Sequence, residues 1–218
     1  MSPMTWQQNE LDELARGVKK QLRARMRATR RALPAPALSA RSARITRHLE
    51  ALEVFQNARA VGLFWPMPGG EVDLRPLDAS LAKRGVARYY PFMDPSETGF
   101  TTGFRRIAEQ SELELRGRGF LEPPRGAETA RAGALDVVLV PALAATPDGH
   151  RLGYGKGFYD ATLPDVCPPA IAIVVVYKFQ LLAEFPVESH DYRCDLVVTD
   201  DEVFSVAGPG DPESARVM

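Results

Sequence analysis

Apolar residues in the first part of the chain recur at helical spacing. Leu11, Leu14, Val18, Leu22 and Met26 follow one another at intervals of three and four, which predicts an amphipathic helix to about Leu33 with these residues on its inner face. Pro34 and Pro36 break it, because proline lacks the N–H and its ring clashes with the preceding turn. Ser39 is placed to cap a second helix whose inner face carries Ile45, Leu49 and Leu52.

From there the period changes. Ala60 to Trp65 reads as a short apolar strand, closed by Pro66-Met67-Pro68-Gly69-Gly70. Asp73 is placed to cap a helix that reaches Lys83 and stops at Gly85, and Val86 to Tyr90 reads as a strand. Residues 94–134 are rich in turn formers, with short strands expected near Phe104 and Leu113. Leu135 to Val140, Ala170 to Tyr177 and Asp195 to Thr199 read as buried strands, with a glycine-rich loop and a short helix between the first two. Strands alternating with helices predict one three-layer α/β/α domain over residues 1–208, built on a mostly parallel sheet and preceded by the N-terminal helix. The polar stretch 209–218 is expected to be a disordered tail.

Composition narrows the class. With 218 residues, 45% of them hydrophobic, the chain can bury one sizeable core, and a net charge of −1 argues against a disordered protein. No apolar run approaches the roughly 18 residues of a membrane span, so no membrane partner is expected. Cys167 and Cys194 have no metal-ligand spacing and form no disulfide framework, which predicts a reducing, cytoplasmic setting. The balanced charge hides an asymmetry. No acid lies between Leu14 and Leu49, where eleven of the 27 Lys and Arg residues fall, eight of them from Arg16 to Arg31. The first helix is therefore basic, a surface suited to phosphates, polyglutamate tails or nucleic acid.

The segment with the most chemistry is Arg151-Leu152-Gly153-Tyr154-Gly155-Lys156-Gly157-Phe158-Tyr159-Asp160. Glycines at alternate positions let the backbone turn without Cβ clashes and let successive N–H groups converge on an anion. A helix N-terminus following the loop adds unpaired N–H groups, and Arg151 and Lys156 add formal charge. The loop is neither a P-loop nor a dinucleotide fingerprint, since the spacing fits neither. The competing reading is a solvent-exposed glycine turn. Lys19, Arg23 and Arg27 form a stripe beside Val18, Leu22 and Met26, and could equally be a solvated helix face.

Arg-Leu-Gly-x-Gly-x-Gly-[Phe/Tyr]-Tyr-Asp resembles the signature of the 5-formyltetrahydrofolate cyclo-ligase family, also called methenyltetrahydrofolate synthetase. Further blocks agree in order: Lys19-Lys20-Gln21-Leu22-Arg23, Gly69-Gly70-Glu71-Val72-Asp73, Phe120-Leu121-Glu122-Pro123, Tyr177-Lys178-Phe179-Gln180, His190-Asp191 and Asp195-Leu196-Val197-Val198-Thr199-Asp200. The sequence departs from the family pattern at Ala144-Ala145-Thr146, where an aromatic-acid pair is common, and at Phe158, where Tyr is frequent.

The resemblance implies ATP-dependent conversion of 5-formyltetrahydrofolate to 5,10-methenyltetrahydrofolate with release of ADP and phosphate. It implies ATP binding by Lys19, Lys20, Gln21, Leu22 and Arg23 and by the loop residues Arg151, Leu152, Gly153, Tyr154, Gly155, Lys156, Gly157, Phe158 and Tyr159. It puts the folate on Arg23, Trp65, Pro66, Glu71, Tyr154, Gly155, Lys156, Gly157 and Phe158, with Lys19, Arg23, Arg151 and Lys156 as the catalytic cations. Asp160 and Asp191 are the implied Mg²⁺ ligands, against the plainer readings of a helix cap and a turn. Trp65 and Tyr177 end strands and could stack on a ring, though core packing is the commoner fate; His48 reads as a solvated helix-face residue, and His150 and His190 flank the proposed site but need have no chemical role. The expected partners are small molecules, with no nucleic acid and a monomeric chain. Two rivals stand beside this reading. A phosphosugar isomerase or lactonase would need no ATP but would need a general base, and a nucleic-acid-binding module would leave the glycine loop without a purpose.

Overall fold

The computed structural model describes residues 3–97, 99–116, 119–206 and 216–217. Among the described residues the α-helices are α1 (Pro3–Ala32), α2 (Ala35–Ala51), α3 (Glu53–Gln56), α4 (Arg75–Lys83) and α5 (Phe158–Val166). The central sheet contains β1 (Ala60–Gly62), β2 (Ala87–Ser96) and β3 (Gly99–Ile107); two short strands, β4 (Glu114–Leu115) and β5 (Leu121–Glu122), pair with each other. Next come β6 (Val137–Pro141), the hairpin of β7 (Ala144–Ala145) and β8 (Arg151–Leu152), then β9 (Ile171–Val175), β10 (Leu196–Val198), β11 (Val203–Ser205) and β12 (Arg216–Val217).

The sheet order is β12-β11-β10-β9-β6-β1-β2-β3. The interior run β10-β9-β6-β1-β2 is parallel, and β3, β11 and β12 add antiparallel margins. Side chains of β6 alternate between two cores, as the pleat requires. Val137 and Leu139 join Ile45 and Leu49 of α2, Phe55 of α3 and Leu77 and Leu81 of α4. Val138 and Val140 join Leu163 and Val166 of α5 on the opposite face. Both faces are thus covered, the three-layer α/β/α arrangement expected from the alternation of elements. Among the described residues no helix is long and apolar enough to cross a membrane.

Several details differ from expectation. Leu11 and Leu14 are 60% and 66% exposed, so the apolar stripe of α1 is an inner face only toward its C-terminal half, where Met26 packs with Leu143, Leu152 and Phe185. Ser39 does not cap α2, which starts four residues earlier with Pro34 as an extended N-cap and Pro36 in its first turn; proline's fixed φ suits that position. Leu74, not Asp73, is the N-cap of α4, yet Asp73 still accepts the Arg75 N–H at 3.0 Å.

The strand expected to stop at Tyr90 runs on through Pro91 to Ser96 as half of a long hairpin with β3. The β1 pairing ends at Tyr89, so Pro91 lies where no neighbouring strand on that side needs its missing N–H. Two residues further, the Met93 N–H donates to Glu122 Oε2 at 2.9 Å, a side chain standing in for the absent strand. The tail expected from 209 lies mostly outside the described residues; 216–217 pair with β11.

Candidate functional site

The carboxyl ends of the parallel strands open onto one cavity of about 380 Å³. Its floor includes Phe64 beyond β1, Pro91 and Met93 of β2 and Pro141 at the end of β6. This is where open α/β sheets bind ligands, because the loops leaving the strands diverge there. The glycine-rich loop forms one wall and α1 the facing one. The loop is not launched from the parallel sheet, as its position after β6 suggests in sequence; it leaves the β7–β8 hairpin and runs into the N-terminus of α5. Gly157 is the N-cap of α5 and no side chain caps it.

The basic stripe of α1 turns into this cavity. Lys19, Arg23, Arg27, Arg30 and Arg31 all line it. Lys19 is buried and donates to Glu188 at 2.7 Å and Asp191 at 2.9 Å. Burial opposes its charge, but the two carboxylates more than offset that and hold its pKa above the ordinary value. Arg23 Nε donates to the Gly153 carbonyl at 3.0 Å, tying the helix to the loop. Gly155 has φ +87°, and a Cβ there would lie 3.4 Å from the Arg23 guanidinium carbon, so glycine permits both the turn and the close approach of the arginine.

In contact with Tyr154 of the loop, Glu71 projects from the turn after β1. Gly70 makes that turn at φ +84°, where a Cβ would come within 2.8 Å of Leu38. The Glu71 side chain is 3% exposed. Its Oε2 accepts the Met67 N–H at 2.7 Å, its Oε1 accepts the Tyr154 hydroxyl at 2.6 Å, and an Arg30 nitrogen lies 3.9 Å away. Burial raises its pKa above the usual carboxylate range, against the pull of those donors. Arg30 Nη2 donates in turn to the Tyr154 oxygen at 2.7 Å.

Of the residues singled out in sequence, the cavity gathers Lys19, Arg23, Trp65, Glu71, Asp191 and the whole run Arg151 to Asp160. Lys20 and Gln21 are exposed and off its wall, and Leu22 packs with Met26 under the hairpin, because one helical turn cannot point five successive residues at one ligand. Pro66 lines a neighbouring depression instead. Tyr177 is fully buried, its hydroxyl shared with Ser42 and the Glu71 carbonyl, so it is a core residue and not a stacking platform. His48 is half-buried with Nδ1 2.9 Å from the Thr199 carbonyl, not on a solvated face, and His190 is 70% exposed. Arg30 is one site residue that sequence reasoning missed, with Arg31 beside it; Arg30 continues the Arg23–Arg27 stripe by one more turn, and that spacing was its signal.

Asp160 and Asp191 both line the cavity and supply hard carboxylate oxygens of the kind magnesium takes. Asp160 Oδ1 accepts from Arg151 at 2.6 Å and from the Tyr192 N–H at 3.2 Å, which leaves its second oxygen as a donor to a cation. Asp191 Oδ2 is engaged by Lys19 and by the Glu188 N–H.

A model of the 5-formyltetrahydrofolate cyclo-ligase family matches residues 15–200, a span that includes both walls of the cavity. The chain belongs to that family. The mouse 5-formyltetrahydrofolate cyclo-ligase is 28% identical over 84% of this chain and 94% of its own. The Escherichia coli K12 protein of the same name is 33% identical over 62% and 75%. Among solved structures, the Aquifex aeolicus 5,10-methenyltetrahydrofolate synthetase superposes with a TM-score of 0.76 at 28% identity, covering 90% of this chain and 96% of that one. The Mycoplasma pneumoniae synthetase shares the fold, with a TM-score of 0.66 at 24% identity and coverage of 84% and 99%. In this cyclo-ligase family member the matched region thus ends at Asp200, just past β10.

Proposed function

We propose that the protein converts 5-formyltetrahydrofolate to 5,10-methenyltetrahydrofolate in the cytoplasm, using ATP and releasing ADP and phosphate. The observation that carries this reading is the arrangement of one cavity with two chemically different sets of groups. The glycine loop, Arg151, Lys156 and the α1 side chains Lys19 and Arg23 gather cations on its wall, while the buried acceptor Glu71 is held there by Tyr154 with Arg30 alongside.

The chemistry needs such a division. A formamide oxygen leaves poorly. Transfer of the γ-phosphoryl group onto it makes phosphate the leaving group and opens the formyl carbon to attack by nitrogen 10. Catalysis is then mainly positioning and charge neutralisation. The loop N–H groups and Arg23 would cradle the phosphates, with Lys19 and Arg151 neutralising their charge. Glu71 would accept N–H groups from the pterin edge, which a carboxylate can take two at a time. Asp160 and Asp191 would hold Mg²⁺, whose charge would offset that of the triphosphate.

The test is direct. Purified protein mixed with 5-formyltetrahydrofolate and Mg-ATP should develop methenyl absorbance, and only with nucleotide and divalent metal both present. Absence of product from folded protein, or product without nucleotide, overturns the reading.

A further inference from the structure

Tyr154 stands between two glycines of the loop, yet its side chain reaches out to residues of two other segments, Glu71 and Arg30. Its hydroxyl donates to Glu71 Oε1 at 2.6 Å and accepts from Arg30 Nη2 at 2.7 Å. Its ring is flanked by two guanidinium groups, Arg27 at 5.6 Å and Arg30 at 5.7 Å from the centroid. The backbone on its N-terminal side is pinned by Arg23, and on the other side Gly155 holds φ +87°. Arg30 also donates to the Gly69 carbonyl, at 3.3 Å, within the turn that presents Glu71.

We infer that Tyr154 is a positioning residue that couples the two parts of the site, its hydroxyl tying the backbone that cradles phosphate to the carboxylate that meets the folate ring. This rests on the proposed function and adds to it. The Glu71 carboxylate is held from one side by its own turn, through Met67, and from the other by the loop, through Tyr154. An anion seated on the loop N–H groups fixes the Tyr154 backbone. That fixes the hydroxyl, which orients Oε1 toward one geometry. A folate that needs the same geometry therefore binds tighter once the loop is filled. By linkage the nucleotide gains the same factor when the folate binds first.

The experiment uses two ligands that cannot react together: a non-hydrolysable ATP analogue with Mg²⁺, and tetrahydrofolate, which lacks the formyl group. Calorimetry gives the tetrahydrofolate Kd with and without saturating analogue. In the unmodified protein the ratio should be about five-fold or more, the lower end of common site-to-site couplings. In Tyr154→Phe, which keeps the ring between the arginines, the ratio should fall to within about two-fold of one, whatever happens to either ligand's own Kd, with the melting temperature retained. If that variant folds poorly, Tyr154→Met is measured in its place against the same outcomes. A variant that keeps the parent's ratio overturns the inference, as does a parent ratio of one with both ligands bound; in either case the proposed function survives. Failure of the parent to bind either ligand removes both.

Discussion

Lys19 and Asp191, 172 positions apart in sequence, meet at 2.9 Å and join the first helix to the loop before β10. Glu188 shares the same ammonium at 2.7 Å. The contact lies on the cavity wall, and it makes Asp191 both a partner of Lys19 and a candidate metal ligand. Asp191→Ala leaves Lys19 with Glu188 as its carboxylate partner. We expect turnover to fall and the Mg²⁺ concentration for half-maximal rate to rise several-fold, with a modest loss of stability. A metal titration that overlays that of the parent would mean that Asp191 is structural.

Gly155→Val tests the phosphate cradle. A side chain at φ +87° is strained, and here it would also press on the Arg23 guanidinium. The position is exposed, so the sheet should remain folded. Calorimetry should show ATP affinity lowered by about ten-fold or more, equivalent to roughly 1.4 kcal/mol. Unchanged affinity in a folded variant counts against the cradle.

Glu71→Gln keeps the size of the acceptor but turns one oxygen into a donor facing donors. Leaving such groups unpaired costs about 1–3 kcal/mol. Steady-state kinetics should show a folate KM raised by that amount and an ATP KM nearly unchanged. Equal damage to both would indicate a structural role, and damage to ATP alone would place Glu71 on the nucleotide instead of the folate.

The acid behaviour of Glu71 follows from its burial. Its folded pKa is raised above 4.5, opposed by the Met67 N–H, the Tyr154 hydroxyl and Arg30. The charged and titratable groups facing it are Arg30 from α1, Tyr154 from the loop and Tyr159 from α5. The folded protein holds this proton to higher pH than the unfolded chain does. The contribution of Glu71 to stability therefore declines as pH rises from 4.5 through the folded value. The melting temperature of Glu71→Gln relative to the parent should become more favourable across that window, and a flat difference would contradict the shift. Folate binding should weaken as pH falls through the same range. Tyr154→Phe removes a donor to the ionised form, so the acid limb should move to higher pH.

Glu122 holds the backbone at Met93, a residue that lines the cavity. Its side chain is buried and accepts the Met93 N–H. Glu122→Leu leaves that N–H without its acceptor, which should cost about 1–3 kcal/mol in urea denaturation. A change within about 0.5 kcal/mol would show that another acceptor replaces it.

β1, β6, β9 and β10 were legible because each is a continuous apolar run, the mark of a strand buried on both faces, whereas β2 carries Arg88, which is buried in a pair with Asp78. The glycine loop, and the α1 stripe that includes Lys19 and Arg23, were legible from spacing and charge. The long β2–β3 hairpin was not, because Pro91 reads as a stop and only tertiary context shows that no neighbouring strand needs its N–H there. Glu122 was visible as part of a Glu-Pro pair, but its bond to Met93 spans 29 positions and leaves no local periodicity. The dual position of Tyr154, on the loop in sequence and at Glu71 in space, likewise has no signature within any one segment. Leu11 and Leu14 carry the right period but lie beyond the part of α1 that has something to pack against.

The distance along the chain between α1 and its partners also has a consequence for synthesis. Ribosomes add about 5–20 residues per second. Arg31 therefore emerges roughly 10–30 seconds before Asp191 does. For that interval the nascent protein displays eight cations from Arg16 to Arg31 with none of the distant carboxylates that later neutralise Lys19, and with no loop for Arg23 to hold. The contacts of Lys19 and Arg23 with Asp191 and Gly153 can form only once the last third of the polypeptide is being made.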